Sequence, residues 1–227
     1  MIPGQFVQVR IPSSIHGWLR IPVSIHFAEA SQGQVWLLVQ KVGEGSRYIA
    51  GLEPGERINL VLPLGNGFSL PGNGGGVQAL LVGGGCGVAP LYFLGLTLKE
   101  MNIPFRFLVG AKNKERLILE EELENTAPAS ICTEDGSTGF KGLVTGHPVW
   151  DEYDCSHIYT CGPTPMMRAV AKKAAQKGAI CEASLENTMA CGLGACLCCV
   201  TPVADGHNAC VCTEGPVFDS RTLGWNA

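Results

Sequence analysis

Charge is scarce in this sequence. Asp, Glu, Lys and Arg make up 16% of its 227 residues, hydrophobic residues 46% and aromatic residues 7%. A chain so poor in charge and rich in apolar residues is not a disordered tail or activation segment. It also lacks a basic excess. Sixteen Lys and Arg stand against 20 Asp and Glu, a net charge of −4, which argues against a nucleic-acid binder. A clean run of about 18 apolar residues is missing as well. The nearest approach is the uncharged stretch 58–98, but Pro63, Pro71, Pro90 and many glycines interrupt it. It reads as a strand, a turn, a buried strand, a glycine loop and a helix, with no membrane span. No secretory signal precedes the cysteines, so an oxidised disulfide framework is a poor fit.

Glycine and cysteine are abundant, at 30 and 11 residues. The glycines suggest tight turns and backbone placed close to ligands. Seven cysteines (Cys181, Cys191, Cys196, Cys198, Cys199, Cys210 and Cys212) crowd into 32 residues near the C-terminus. An odd number without a leader favours a metal or cluster site in a cytoplasmic protein.

Three regions follow from the pattern of apolar runs and breakers. Residues 1–75 show short strands between Gly/Pro turns: Phe6 to Val9, Val23 to Phe27, Val35 to Val42 and Ile58 to Leu62. They suggest a small antiparallel barrel or sandwich, with Asn73-Gly74-Gly75-Gly76 as a linker. Residues 76–183 alternate. Strands are expected at Val77–Val82, Phe105–Val109, Ser130–Cys132, His157–Cys161 and Ala179–Leu185. Helices are expected at Leu91–Met101, Lys114–Leu123 and Met166–Lys177. Such alternation implies a parallel sheet covered on both faces. Residues 184–227 are cysteine-rich and irregular.

Within that last region, Cys191, Cys196, Cys199 and Cys212 give C-x4-C-x2-C and a distant fourth cysteine, the plant-type spacing for a [2Fe–2S] cluster. Gly192 and Gly194 let the loop curl so that backbone N–H groups face the cluster sulfurs. The rival, a structural zinc site, normally shows paired C-x2-C knuckles, and only one short pair fits here. Cys198 and Cys210 sit at the wrong spacing and read as buried free thiols. His207 lacks the second histidine of a Rieske site and reads as solvent-facing.

The stretch Ser184 to Cys196, with Cys212-Thr213-Glu214-Gly215-Pro216-Val217-Phe218, closely resembles the electron-transfer subunits of NAD-dependent (type B) dihydroorotate dehydrogenases, in the ferredoxin-reductase superfamily. The resemblance extends to Pro3-Gly4-Gln5-Phe6-Val7, to Pro63-Leu64-Gly65-Asn66-Gly67-Phe68, to Gly83 through Leu91 and to Cys161-Gly162-Pro163. It implies an FAD-binding β-barrel, a nucleotide-binding α/β domain that meets NAD(H), and a small C-terminal [2Fe–2S] module. The family's flavin motif reads Arg-Pro-x-Ser. Here Ile21, Pro22, Val23 and Ser24 occupy those positions, so the arginine is absent and Arg20 lies one residue early, on the opposite face of a regular strand. Members usually carry a further strand before Pro-Gly-Gln-Phe; either the barrel lacks its first strand or the start of the sequence is displaced or trimmed.

The resemblance further assigns Leu38, Val39 and Gln40 to the edge of the flavin, and Gly45 and Ser46 to a short helix whose N–H groups hold the pyrophosphate. Gly85 and Gly87, after an apolar strand and before a helix, suit a dinucleotide loop, although the loop is not a G-x-G-x-x-G fingerprint. Cys161 and Gly162 would border the hydride path, the cysteine without acting as a nucleophile. Lys112, Asn113, Lys114 and Arg116 lie where a ribose or 2′-phosphate would reach, or on a solvated face. The implied partner is an FMN-containing dihydroorotate dehydrogenase catalytic subunit, in a heterotetramer with two copies of each chain. Two alternatives stand beside this reading. In one, the same module serves a hydrogenase or electron-bifurcating complex. In the other, it is a cluster-carrying scaffold with a degenerate flavin site.

Overall fold

The computed structural model describes residues 1–12, 19–72 and 76–225. Three residues of the expected linker, Asn73, Gly74 and Gly75, lie outside the described residues.

Strands β1 (Phe6–Val9), β2 (Ile21–Glu29), β3 (Gln34–Leu37) and β4 (Leu60–Leu64), with helix α1 (Glu44–Ile49) between β3 and β4, form an antiparallel sheet in the order β3-β2-β1-β4. All four residues of β1 are buried because both faces of this central strand are covered. By strand alternation Val7 and Val9 share one face and Phe6 and Gln8 the other. The valines join Ile11, Ile25, Ile49 and Phe93 in one core, while Phe6 and Leu64 join a core made largely by the C-terminal segment. The pairing of β1 with β4 slips between Phe6 and Gln8.

The chain then alternates through β5 (Ala79–Gly84), α2 (Val88–Glu100), β6 (Phe105–Ala111), α3 (Glu120–Thr126), β7 (Ala129–Thr133), β8 (Phe140–Lys141), α4 (Val149–Glu152), β9 (His157–Cys161), α5 (Thr164–Gln176) and β10 (Ile180–Ser184). The hairpin β11 (Val200–Pro202) and β12 (Asn208–Cys210) follows, and then β13 (Val217–Asp219). The second sheet has seven strands in the order β13-β10-β9-β5-β6-β7-β8. All are parallel except β13, which pairs antiparallel with β10. Every residue of β5 is buried, which explains its unbroken apolar run. From β5 the chain first builds outward through β6, β7 and β8, then returns to place β9 on the other flank. The carboxyl ends of β5 and β9 therefore flank the topological switch point, where open α/β sheets bind ligands.

Several expected elements shift. The helix expected over Lys114–Leu123 is instead a 3-10 turn at Lys114–Arg116 followed by α3. Leu117 is extended and Leu119 is left-handed (φ 63°), so the chain cannot run on helically. Glu120, Glu121 and Glu122 then fill the first turn of α3, where negative charge favours helix initiation. The strand expected over Val35–Val42 ends at Leu37, and the residues after it leave the sheet. The strand expected at Ile58–Leu62 runs two residues later. Helix α5 begins at Thr164, before Met166, with Pro165 in its first turn. No helix among the described residues is long and apolar enough to cross a membrane.

Candidate functional site

A cleft of about 770 Å³ opens between the two sheets, within the range of roughly 300–1,000 Å³ common for small-molecule sites. One wall is Arg20 to Ser24, at the start of β2. A second is Leu38, Val39 and Gln40, the residues that leave β3, together with Ser46 of α1. Cys86 and Ala89, from the turn after β5, close a third side, and Leu185 to Met189 the fourth. The cleft thus gathers Ile21, Pro22, Val23, Ser24, Leu38, Val39, Gln40 and Ser46 from three separate stretches of chain. Its mixed wall, apolar with a few hydroxyl, amide and charged groups, suits a flavin nucleotide.

Two flavin expectations acquire a different physical content. Gly45 does not line the cleft. A Cβ there would stand 2.1 Å from Ile21 Cδ1, so Gly45 lets α1 lie against β2. The Ser46 hydroxyl is engaged locally: it accepts from the backbone N–H groups of Val42 and Gly43 and donates to the Gly43 carbonyl. It therefore shapes the start of α1. Arg20 reaches the cleft, while its guanidinium donates to the carbonyls of Gln8 and Asn59 and, at 2.7 Å, to Asn59 Oδ1. The cationic group displaced from the motif is thereby tied across the end of the first sheet.

Gly85, Gly87, Cys161 and Gly162 meet at the switch point beside this cleft. A Cβ on Gly87 would stand 2.2 Å from the Cys161 carbonyl oxygen. Gly162 (φ 147°) is also close, its absent Cβ falling 3.0 Å from Gly84 Cα. Gly85 (φ 55°) has open space where its Cβ would be, as a loop facing a ligand requires. The loops are also tied to the first sheet. His26 stacks on Tyr92 with ring centroids 4.7 Å apart, and its Nδ1 lies 3.2 Å from the Ala89 carbonyl. Burial lowers the His26 pKa, so the ring is held neutral against α2.

Burial pushes the Cys161 thiol up to about 12. Together with its 1% exposure, this keeps it protonated and unreactive. Cys86 is likewise raised by burial, and its Sγ lies 3.5 Å from Gln40 Oε1 across the cleft. Glu186, absent from the residues expected at this site, also lines the cleft, and partial desolvation there raises its pKa. It belongs to the Ser184 to Cys196 stretch that carries the resemblance, but a single glutamate after a strand has no pattern that assigns it to a cleft.

The four cysteines of the spacing motif lie within electrostatic reach of one another, Cys196 acting on Cys191 and Cys199 on Cys212. Leu193 N–H points at Cys191 Sγ (3.3 Å), and Gly194 N–H at Cys212 Sγ (3.2 Å). Gly192 and Gly194 adopt φ 71° and 80°, the left-handed turns that aim these donors inward. The Leu193 N–H, followed by those of Cys196 and Ala195, holds Cys191 down at about 6, in the thiolate range that an iron ligand needs. No group of three or more ligands suited to a single metal ion occurs among the described residues. The C-x4-C-x2-C spacing with a distant fourth cysteine, and the two N–H groups aimed at the sulfurs, suit a [2Fe–2S] cluster.

The four differ in setting. Cys199 and Cys212 are buried with Met189, Phe6 and Leu64, whereas Cys196 is exposed and Cys191 half-buried. Phe6 and Met189 also border the cleft, so they form the partition between it and the sulfurs. Asn66, in the turn after β4, clamps the loop. Its Nδ2 donates to the carbonyls of Thr213 and Glu214, both at 3.0 Å, and its N–H to that of Gly215 at 2.7 Å. Cys210 is buried as expected. Cys198 is not: it is exposed, following Leu197 at φ 54°, a turn that leaves Leu197 63% exposed as well. His207 faces solvent and pairs with Asp205.

Comparison with known proteins agrees with this arrangement. A family model described as the iron-sulfur cluster binding domain of dihydroorotate dehydrogenase B matches residues 186–224, and one described as an oxidoreductase NAD-binding domain matches residues 81–172. The electron transfer subunit of dihydroorotate dehydrogenase B (NAD(+)) from Bacillus caldolyticus is 38% identical over 201 residues, covering 88% of this chain and 77% of that protein. The subunit of the same name from Fusobacterium nucleatum subsp. nucleatum is 37% identical over 207 residues, with 87% and 77% covered. Among solved structures, an NADH-dependent reduced ferredoxin-NADP oxidoreductase described for flavin-based electron bifurcation superposes with a TM-score of 0.86. It is 31% identical and covers 100% of this chain and 80% of that one.

Proposed function

Since the chain belongs to the family of electron transfer subunits of dihydroorotate dehydrogenase B, we propose that it carries electrons between NAD(H) and an FMN-containing dihydroorotate dehydrogenase catalytic subunit, in a heterotetramer with two copies of each chain. FAD and a [2Fe–2S] cluster, when bound, supply the conversion between a two-electron hydride and single electrons.

The chain's own residues arrange that chemistry. The turn Gly83–Gly87 and the Cys161-Gly162 turn receive the nicotinamide at the switch point. Ser24, Leu38, Val39 and Gln40 bound the flavin ring and its ribityl chain, and α1 with Gly45 and Ser46 backs the phosphates. Cys161 stays a neutral thiol beside the hydride path. Cys191, Cys196, Cys199 and Cys212 hold the irons, and Phe6 and Met189 fill the gap between cluster and flavin, excluding water. The observation that carries this reading is that partition, with the cleft on one side and the cysteine sulfurs on the other.

The exposed pair supports a direction of transfer. Leu193 and Leu197, 64% and 63% exposed, flank Cys191 and Cys196, an apolar rim of the kind that partners cover. Domains divide as 1–75 for flavin, 76–183 for nucleotide and 184–227 for the cluster, although β13 of the last stretch completes the sheet of the second. Eleven cysteines, none in a disulfide, suit the reducing cytoplasm.

Co-expression with an FMN-containing dihydroorotate dehydrogenase subunit tests the proposal. The expected result is one complex that reduces NAD+ with dihydroorotate, while either chain alone does not. A second reading, the same module within an electron-bifurcating enzyme, is favoured by the 31% identity and full-length superposition on such a structure. Co-purification of a second large flavoprotein in place of the FMN subunit would select it.

A further inference from the structure

Among the described residues, Gln8 alone has two buried side-chain polar atoms without a hydrogen-bond partner. It sits on the central strand β1, is 0% exposed, and neither its Oε1 nor its Nε2 has a hydrogen-bond partner among the described residues. Leaving such a group unpaired is destabilising, and the site would accept an apolar side chain of similar length without that penalty.

Its surroundings identify what the amide faces. Gln8 shares a face of β1 with Phe6, the face that packs on the cluster segment. The register slip between β1 and β4 falls between these two residues, and such irregularities re-aim side chains. A Cβ on Gly192 would stand 3.0 Å from Gln8 Cγ and 3.2 Å from Gln8 Nε2. The amide therefore lies against the residue that follows Cys191, behind the loop that presents the four thiols. Gln8 does not line the flavin cleft, although Phe6 does.

We infer that Gln8 is a positioning and tuning residue for the iron–sulfur centre: its amide N–H donates to a sulfur of the loaded cluster loop, and this bond raises the cluster's reduction potential. The inference rests on the four-cysteine reading above. The reduced cluster carries one more negative charge than the oxidised one, so a donor aimed at its sulfurs favours the reduced form. The same contact locks β1 to the loop through Gly192, where any larger residue would strike Gln8 and Leu64.

The test is a mediator redox titration of the holoprotein, following the cluster by low-temperature EPR and the flavin by absorbance. Gln8→Met keeps length and burial and removes the donor. The reduced-to-oxidised ratio of the cluster at a fixed potential should fall about five-fold, the worth of one hydrogen bond near 1 kcal/mol, or a downward shift of about 40 mV for a one-electron couple. Gln8→His, which keeps an N–H donor, should recover part of the shift, and the flavin potential should stay in place. A Gln8→Met protein that fails to retain iron is replaced by Gln8→Asn, whose shorter amide withdraws from Gly192 and should shift the potential in the same direction. An unchanged cluster potential in an iron-replete variant, or a shift confined to the flavin, overturns the inference. Absence of iron from the unsubstituted protein would overturn the cluster reading itself, a separate outcome.

Discussion

Gly87 lies so close to Cys161 that a Cβ on the glycine would stand 2.2 Å from the Cys161 carbonyl oxygen and 2.6 Å from the Gly162 nitrogen. Both obstacles are backbone, so neither can swing aside. The glycine of the first turn is what allows the two strand ends to come together, at the place proposed for the nicotinamide. Gly87→Ala should lose about 1–3 kcal/mol of stability through overpacking. It should also raise the KM for NADH in dye reduction by about ten-fold, equivalent to roughly 1.4 kcal/mol, with iron content unchanged. Thermal unfolding and steady-state kinetics check both.

Cysteine replacement separates ligands from bystanders. Cys196→Ser should abolish cluster iron and leave flavin binding and NADH-dependent dye reduction largely intact, because Cys196 does not line the cleft. Cys198→Ser, two residues on and equally exposed, should change neither. Iron analysis and flavin absorbance on the two proteins discriminate directly. Equal iron loss in both would reassign the ligand set.

Asn66 links the first sheet to the loop that carries Cys212. Asn66→Ala removes two donors from the Thr213 and Glu214 carbonyls. Water can replace them at this exposed position, so the expected loss is about 1 kcal/mol in stability, with a faster release of iron to a chelator. A chelation rate equal to that of the unsubstituted protein would show that the clamp has no hold on the cluster.

Glu186 gives the cleft a pH signature. Its carboxyl titrates above the ordinary glutamate range in the folded chain because the surrounding protein partly desolvates it, although the side chain stays open to the cleft. As pH rises from the ordinary value toward the raised one, the unfolded chain releases this proton first, so folding becomes less favourable across that window. Glu186→Gln has no proton to release. Its stability relative to the parent protein should be equal at pH below the ordinary glutamate value and should gain as pH climbs through the raised one. Melting curves from acid to neutral pH check the sign, and a gap that narrows with rising pH would contradict it.

Much of the arrangement was legible in the sequence where a residue type has few alternatives. The C-x4-C-x2-C spacing, the glycines around it and the apolar run of β5 each point to one local structure, and Gly192 and Gly194 do take the left-handed turns expected of that loop. Less visible was anything decided by tertiary contact. Gly45 reads as a phosphate-loop glycine, yet its small size serves Ile21. The expected strand through Val42 stops at Leu37 because the following residues turn away to wall the cleft. Leu119 breaks a helix that periodicity alone extends. Strand β13, three residues long, has no pattern of its own and exists because β10 offers it an edge. Gln8 gave no signal at all, since a buried polar group is anomalous only once its burial is known.

The most direct test of the account is an anaerobic titration of the purified protein with NADH, with iron and flavin quantified per chain. The account predicts two irons and one FAD per chain, and bleaching of the flavin accompanied by the EPR signal of a one-electron-reduced [2Fe–2S] centre. It further predicts that Cys199→Ser and Cys212→Ser each eliminate that signal. A flavin that bleaches with no paramagnetic iron, or a single bound metal ion at the four cysteines, would contradict it.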